Sequence, residues 1–394
     1  MKISKKINLI DTLVFINIFF SIGYYTLQGS NLYSDSLKIM LAFSIFSGIM
    51  AFTLTLFMRL KRSAFKVFIF GILLFTVFMR FFLAIDDTRT LFFALEIMVS
   101  FSSTMHQLIN YAFWTKLIFI LPVLATGGYH HINGLSLHMG VLLLLFVSKA
   151  ELKLKIKQII LLFVLYAIFF VLTDSGSFKI CIGLLLFLVL MSKIKFGEKI
   201  IKSKLWTAVF PVMMFFNVYA ALNLEQKKLL IIGNLLSEKT NEKAHALIQF
   251  LDKYTTGRIT LGCYSLKVFG ISALGGNVDY TKLNLQSDQY FNLDSGYLWL
   301  LQGWGWIATI LIMGLFCILM WRLIKKKEIN IIICAIVISC WAINEDMFLS
   351  IGTNFLILLI GPSIRETFSK RWGIKNDNSK SHSLLLVRGK TIAR

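Results

Sequence analysis

The sequence predicts an all-α fold: a polytopic helical membrane protein with about twelve transmembrane helices and one long extracytoplasmic loop. Composition and the spacing of apolar stretches support this prediction. The 394-residue chain is 57% hydrophobic and 15% charged, with a mean hydropathy of +0.74, whereas soluble domains contain roughly 25% charged residues. A helix needs about 20 mostly apolar residues to cross ~30 Å of hydrocarbon. The chain is therefore expected to fold in a bilayer.

Apolar stretches recur along the chain, and each is long enough to cross or nearly cross the membrane. They lie at 9–25, 39–57, 67–85, 91–105, 111–126, 135–147, 159–172, 178–191, 206–222, 296–320, 329–343 and 348–360. The first stretch has a basic flank but no small-residue cleavage site after it. We therefore expect it to remain as a span rather than to be removed as a signal peptide.

The formal net charge of +21 is distributed as a topology signal. Lys and Arg cluster between alternate spans, at 2–6, 59–66, 149–157, 193–204, 322–327 and 365–371. Short cytoplasmic loops of membrane proteins carry this excess of cations. We therefore expect both termini in the cytoplasm, membrane lipids as neighbours and no nucleic-acid partner. The abundance of Lys, Ile, Phe and Asn is typical of an AT-rich bacterial genome, so we expect a bacterial plasma membrane.

One connection is far longer than the others. Residues 223–295 separate the ninth and tenth spans, and the charge pattern places them outside the cell. Within this loop, 244–254 has the apolar spacing of a helix, and 255–276 is expected to form an interfacial or re-entrant helix. The predicted organisation is spans one to nine at 1–222, the loop at 223–295, spans ten to twelve at 296–360 and a basic cytoplasmic tail at 361–394.

Ionisable and polar residues from well-separated parts of the chain gather at the predicted outer face. They are Arg80, Arg89, His130, His131, Asn133, His138, Asp174, Ser175, Arg258, Asp294, Asn344, Glu345 and Asp346. Such groups are costly at membrane depth and therefore indicate function. Four of the five cysteines fall within spans, and no Cys/His spacing is typical of zinc. We therefore expect no disulfide framework, no metal and no cofactor.

Five short motifs follow one another on the predicted outer side. They are His-Ile-Asn at 131–133, Thr-Asp-Ser-Gly-Ser at 173–177, Thr-Gly-Arg-Ile at 256–259, Leu-Asp-Ser-Gly-Tyr-Leu at 293–298 with Gly-Trp-Gly-Trp-Ile at 303–307, and Asn-Glu-Asp at 344–346 before Asn354. Their order and placement resemble Wzy-type polysaccharide polymerases of the O-antigen ligase and polymerase superfamily. The corresponding segments there are His-Pro-Asn, Ser-Arg-Thr, Ser-Gly-Arg-Ile, Asp-Asn-Ser-Tyr-Leu with Tyr-Gly-Ile, and a Glu…Asn pair. Gly176 stands where that family usually has arginine.

The resemblance implies a membrane glycosyltransferase. Such an enzyme transfers a growing glycan from undecaprenyl diphosphate to the non-reducing end of the next lipid-linked repeat unit, at the outer face of the plasma membrane. Its partners would be the undecaprenyl-diphosphate-linked oligosaccharide, a flippase and a chain-length regulator. Two alternatives stay open: a glycan ligase of the same superfamily, and a flippase or transporter of lipid-linked oligosaccharide. Transporters commonly contain internal repeats with substrate residues near the bilayer midplane, and neither feature is evident here.

The residue types suit departure of a diphosphate. Arginine binds phosphate oxygens with paired hydrogen bonds and stays charged. Arg258, after the permissive Gly257, is therefore predicted to bind the carrier diphosphate, with Arg80 and Lys267 as helpers. Basic side chains rather than a metal would then neutralise the leaving group.

The attacking sugar hydroxyl needs a base or an orienting group. The predicted candidates are His131, Asp294 and Glu345. The resemblance adds Asn133, Asp174 and Tyr297 as substrate-binding candidates.

Structural roles remain open for several of these candidates. Asp294 is well placed to be the N-cap of the tenth span, and Glu345 could lie in a solvated turn. Arginine side chains such as Arg80 and Arg258 could extend to lipid headgroups. Lys116, within a span, is expected at the inner interface.

Overall fold

The computed structural model describes residues 9–58, 88–129, 132–150, 153–173, 175–224, 238–254, 257–276, 278 and 294–372. These parts of the chain are mainly α-helical and contain no β-strand, only an isolated bridge between Ser30 and Tyr129. The prediction of an all-α fold is therefore confirmed for them. The predicted third span at 67–85 lies outside the described residues.

The helices follow the apolar stretches along most of the chain. They are α1 (Leu9–Leu27), α2 (Lys38–Met58), α3 (Thr88–Ser100), α4 (Met105–Ala125), α5 (Ile132–Lys149), α6 (Ile156–Leu172), α7 (Gly176–Met191), α8 (Lys195–Ile201), α9 (Val209–Asn223), α10 (Glu238–Tyr254), α11 (Arg258–Phe269), α12 (Gly296–Gly303), α13 (Gly305–Lys326), α14 (Ile329–Trp341) and α15 (Ile357–Trp372). Short 3-10 helices occupy Asp35–Leu37 and Lys204–Ala208. The helix predicted at 244–254 and the one expected within 255–276 correspond to α10 and α11.

Helix length and composition support a membrane protein. The helical segments long and apolar enough to cross a bilayer are Leu9–Leu27, Lys38–Thr55, Met105–Ala125, Lys195–Asn223 and Gly305–Lys326. Shorter apolar helices are Asn133–Lys149, Ile156–Leu172, Gly176–Met191 and Ile329–Trp341. Large apolar side chains such as Val171 and Leu205 are exposed on the bundle surface, as lipid-facing residues are. The structure therefore supports a helical membrane protein with five candidate spans, a coarser statement than the predicted twelve.

The predicted tenth span is two helices rather than one. It breaks between α12 and α13, where Gly305 has a φ of +78°. The segment that follows α11 packs its backbone against the break, and Gly276 N donates to Gly303 O at 3.1 Å. A Cβ at Gly305 would overlap the backbone of Ala273 and Gly275. The positive φ and this close approach explain why glycine occupies the break.

The predicted twelfth span at 348–360 is wrong in its first half. Residues 342–356, which we call the 342–356 segment, form turns, and α15 begins only at Ile357. Irregular backbone at membrane depth is tolerated only where protein surrounds it, and this segment is largely buried. The Asn354 side chain replaces part of the missing helical bonding: it donates to Phe348 O at 3.2 Å and accepts from Leu356 N at 3.2 Å.

Lys116 of α4 supplies another donor to the same segment. Its Nζ donates to Gly352 O at 2.7 Å and to Thr26 Oγ1 at 3.0 Å, and it also contacts His138 Nδ1. Tyr129 stacks on the imidazole of His138, with ring centroids 4.8 Å apart. Lys116 is fully buried, so the expectation that it lies at the interface is wrong. It instead joins α1, α5 and the 342–356 segment.

Contacts between connecting segments gather at two opposite ends of the bundle. One end, which we call the basic end, holds the α3–α4, α5–α6, α7–α8 and α13–α14 connections. The contacts that join them to each other and to α15 are His106–Glu328 at 3.4 Å, Asn330–Ala150 at 2.7 Å, Lys153–Glu198 at 2.5 Å and Arg322–Glu366 at 2.9 Å. Helices α5 and α7 end at this end of the bundle, and helices α6 and α14 begin there. The α6–α7 connection and the 342–356 segment therefore lie at the opposite end.

Candidate active site

Arg258 is the first residue of α11, and Gly257 before it is the N-cap of that helix. Gly257 has a φ of +80°, a conformation that costs glycine little. Its N–H donates to Asp252 O of α10 at 2.8 Å. The Asp252 carboxylate also accepts from Thr260, from its backbone N–H at 2.8 Å and from its hydroxyl at 2.6 Å. Asp252 near the end of α10 is therefore hydrogen-bonded to residues on both sides of Arg258.

Three of the predicted site residues come together in space. Arg258 Nη1 forms an ion pair with Asp294 Oδ2, and Arg258 Nη2 lies 3.7 Å from Glu345 Oε1. Arg258 Nη1 also donates to Asn344 O at 2.7 Å. These groups belong to the start of α11, the residues before α12 and the turn after α14. We call Arg258, Asp294 and Glu345 the Arg258 cluster.

The Arg258 cluster is sheltered but open to solvent. The exposed side-chain fractions are 14% for Arg258, 28% for Asp294 and 11% for Glu345. Gly296 N donates to Ala342 O at 2.9 Å, which ties the start of α12 to the 342–356 segment. The cluster therefore lies at the end of the bundle opposite the basic end.

Burial changes the acidity of both carboxyl groups. Burial raises the pKa of Glu345 to about 7, against the opposing effects of the Arg258 charge and of a hydrogen bond from Ser177 Oγ at 2.8 Å. Burial also raises the pKa of Asp294 above its usual range, although the Arg258 guanidinium opposes the shift. A carboxyl group with a pKa near 7 can accept a proton and release it again at neutral pH.

The capping role considered for Asp294 belongs to its neighbour. Ser295 is the N-cap of α12, and its Oγ accepts from Leu298 N at 3.4 Å. The same hydroxyl donates to Asn217 Oδ1 of α9 at 2.8 Å. Asp294 stands one residue earlier, with its carboxylate on Arg258. The capping alternative for Asp294 is therefore wrong, and the solvated-turn alternative for Glu345 is wrong as well, because that side chain is buried.

The other described candidates lie elsewhere. Tyr297 is fully buried, its hydroxyl donates to Ser339 O at 2.9 Å, and its ring packs against Phe348. Asn133 is exposed in the first turn of α5. Lys267 is in the last turn of α11, about 13 Å along the helix axis from Arg258 at ~1.5 Å per residue.

The structure therefore brings together the arginine and two of the three proposed bases. The predicted candidates His131, Arg80 and Asp174 lie outside the described residues. Over the described ranges, no three His, Cys, Asp or Glu side chains form a cluster that would hold a metal ion.

Comparisons of the chain with protein-family models, curated proteins and solved structures gave no match. What the chain does is therefore inferred from its own residues.

Proposed function

We propose that the chain is a Wzy-type polysaccharide polymerase, a glycosyltransferase of the bacterial plasma membrane. It moves a growing glycan from undecaprenyl diphosphate onto the non-reducing end of the next lipid-linked repeat unit. The observation that carries this proposal is the Arg258 cluster: one guanidinium faces two carboxyl groups at the end opposite the basic loops. By the positive-inside rule, that end faces outward, in a chain with about twelve spans and cytoplasmic termini.

Arg258 has the donors that a diphosphate leaving group requires. Its Nη1 is used by Asp294 and by Asn344 O, whereas Nη2 and Nε make no hydrogen bond to a described residue. Those donors can bind phosphate oxygens with the paired geometry of a guanidinium. Asp294 then holds the guanidinium in place from the other side. Departure of the diphosphate from the sugar would be assisted by positive charge at this point.

Glu345 suits the role of base better than Asp294 does. Asp294 is engaged by the Arg258 guanidinium, whereas Glu345 lies 3.7 Å from it and has a pKa of about 7. The acceptor hydroxyl would transfer its proton to Glu345 while its oxygen bonds to the anomeric carbon. The bond from that carbon to the carrier diphosphate breaks, and the electron pair leaves with the diphosphate.

The length distribution of surface polysaccharide in a deletion strain tests this function. Loss of the polymerase should leave single repeat units on the surface, and the wild-type gene should restore long chains. Complete absence of surface glycan would instead indicate a flippase. Long chains that are not attached to their final acceptor would indicate a ligase. The proposed partners, a flippase and a chain-length regulator, must be intact in this strain.

A further inference from the structure

Two serine hydroxyls connect the N-terminus of α7 to Glu345. Ser175 is the N-cap of α7, and its Oγ accepts from Phe178 N at 3.4 Å. Ser175 Oγ lies 3.1 Å from Ser177 Oγ. Ser177 Oγ in turn lies 2.8 Å from Glu345 Oε1. The hydroxyls therefore form a continuous chain that ends on the carboxyl group of the Arg258 cluster.

The chemistry of these groups sets the direction of the chain. An ionised carboxylate only accepts hydrogen bonds, so Ser177 must give its one hydroxyl proton to Glu345. The oxygen of Ser177 is then free to accept from Ser175, while Ser175 accepts from the N–H of Phe178. Each donor points toward Glu345. The N-terminus of a helix also favours nearby negative charge, and α7 is 16 residues long.

The two oxygens of Glu345 differ in their surroundings. Oε1 accepts from Ser177 and is the oxygen nearest to Arg258. Oε2 makes no hydrogen bond to any residue in the described ranges, and solvent can reach it. Oε2 is therefore the oxygen available to an incoming hydroxyl group.

We propose that Ser177, supported by Ser175, is a positioning residue of the candidate site. The two hydroxyls hold Oε1 of Glu345 and favour the ionised carboxylate, so that Oε2 faces the acceptor hydroxyl. The identity of that hydroxyl rests on the proposed function. The effect of Ser177 on Glu345 does not, and it can be measured without any glycan substrate.

Substitution of Ser177 changes no other charged or titratable residue near Glu345. Within the described residues, the charged and titratable groups that face Glu345 are Arg258, Asp294, Asp346 and the Cys181 thiol of α7. A change at Ser177 therefore reports on the hydrogen bond itself. Because that bond favours the ionised form, its loss raises the pH at which Glu345 is half protonated.

The test compares two pairs of side chains at position 177, Ser with Ala and Thr with Val. In each pair only the first side chain has a hydroxyl. In purified full-length protein, a carbodiimide reacts with protonated carboxyl groups, and mass spectrometry of the Glu345 peptide gives the extent of reaction against pH. Ser177→Ala should move the midpoint upward by about one pH unit, the size expected for a hydrogen bond to a charged group. Ser177→Val should do the same, whereas Ser177→Thr keeps the hydroxyl and should resemble wild type.

Ser192→Ala is the matched control. It removes a hydroxyl that donates to Val189 O at 2.6 Å, at the opposite end of the same helix, and should leave the midpoint unchanged. Equal midpoints for the Thr and Val variants would overturn the role of Ser177.

Polymer formation against pH supplies a second measurement. The acidic limb should move upward with the Glu345 midpoint in the Ala and Val variants, with most of the rate recovered at higher pH. If the midpoint moves while wild-type protein makes no polymer, the proposed function fails and the role of Ser177 stands. If wild-type protein makes polymer and the midpoint does not move in the Ala and Val variants, the proposed function stands and the role of Ser177 fails.

Discussion

Arg258 is the residue on which the candidate site depends, because its guanidinium contacts both carboxyl groups and the backbone of the 342–356 segment. Arg258→Ala removes these contacts and the donors proposed for the diphosphate. Polymer formation should fall by about 100-fold or more, the usual cost of losing a donor aimed at developing negative charge. Arg258→Lys should recover only part of the activity, since it keeps the charge but not the planar fork. Glycan length on gels measures both.

A matched control for Arg258 lies at the basic end. Arg322 of α13 is also a partly buried arginine in an ion pair, with Glu366 at 2.9 Å. Arg322→Lys should leave polymer length unchanged at equal protein level in the membrane. Full polymer formation by Arg258→Ala would remove this residue from the site.

Asp294 and Ser295 have different contacts and can therefore be tested separately. The Asp294 carboxylate pairs with Arg258, whereas the Ser295 hydroxyl caps α12. Asp294→Asn keeps the side-chain shape and leaves the cap intact, so thermal stability in detergent should be preserved. Polymer formation should fall, because the guanidinium loses its counter-charge. The negative charge of Asp294 also raises the pKa of Glu345, so its removal should lower the pH at which Glu345 is half protonated, opposite to the effect of Ser177→Ala.

Ser295→Ala should show the converse behaviour. Loss of an N-cap hydroxyl costs about 1 kcal/mol, so the melting temperature should fall while the pH dependence stays that of wild type. A stable, fully active Asp294→Asn protein would leave Glu345 as the only described carboxylate in the proposed reaction.

At the scale of single residues, the sequence indicated which residue types belong to the Arg258 cluster but not how they pair. Arginine after glycine and acidic residues at span ends pointed to Arg258, Asp294 and Glu345. Nothing in the sequence decides whether Asp294 or Ser295 caps α12, because both residue types are good N-caps. Ser177 was part of a motif, but hydroxyls are common at helix starts, and only the fold brings it to Glu345.

At the scale of elements, the break between α12 and α13 depends on Gly305. Gly305→Ala should destabilise the protein by more than the ~1–3 kcal/mol of a strained positive φ, because the added Cβ also meets the backbone of the segment after α11. Gly314 is the matched control, since it lies within α13 with open space around it. Gly314→Ala should raise the stability by up to ~1 kcal/mol.

Thermal unfolding in detergent measures both glycine variants. A Gly305→Ala protein as stable as Gly314→Ala would show that the break does not need glycine.

Apolar stretches predicted where helices occur, but not where they break. Residues 296–320 and 348–360 are mostly apolar and contain no charged residue, so hydropathy alone favours an unbroken span in each. The first is interrupted by backbone from 273–276, and the second by contacts from Asn354 and Lys116. The backbone of 273–276 and the Lys116 side chain are distant in sequence from the helices they interrupt, and Asn354 acts through side-chain hydrogen bonds. A local hydropathy pattern contains neither kind of contact.

At the scale of the whole molecule, the charge pattern predicts the orientation of the bundle. Lys243 of α10 and Lys155 before α6 are both exposed and are expected on opposite sides of the membrane. In a background whose own cysteines are replaced, an impermeant thiol reagent added to intact cells should label Lys243→Cys and not Lys155→Cys. After the cells are opened, both should react. Labelling of Lys155→Cys in intact cells would contradict cytoplasmic termini and an outward-facing Arg258 cluster.

The buried amine of Lys116 also constrains the order in which its contacts can form. Its partner Thr26 precedes it by 90 positions and His138 follows after 22, but Gly352 lies 236 positions later. At about 5–20 residues per second, roughly 12–47 s of translation separate Lys116 from that acceptor. A polar side chain without hydrogen-bond partners is costly in hydrocarbon. The hydrogen bond from Lys116 to the 342–356 segment can therefore form only after Gly352 has been made, and until then this side chain has only its contacts with α1 and α5.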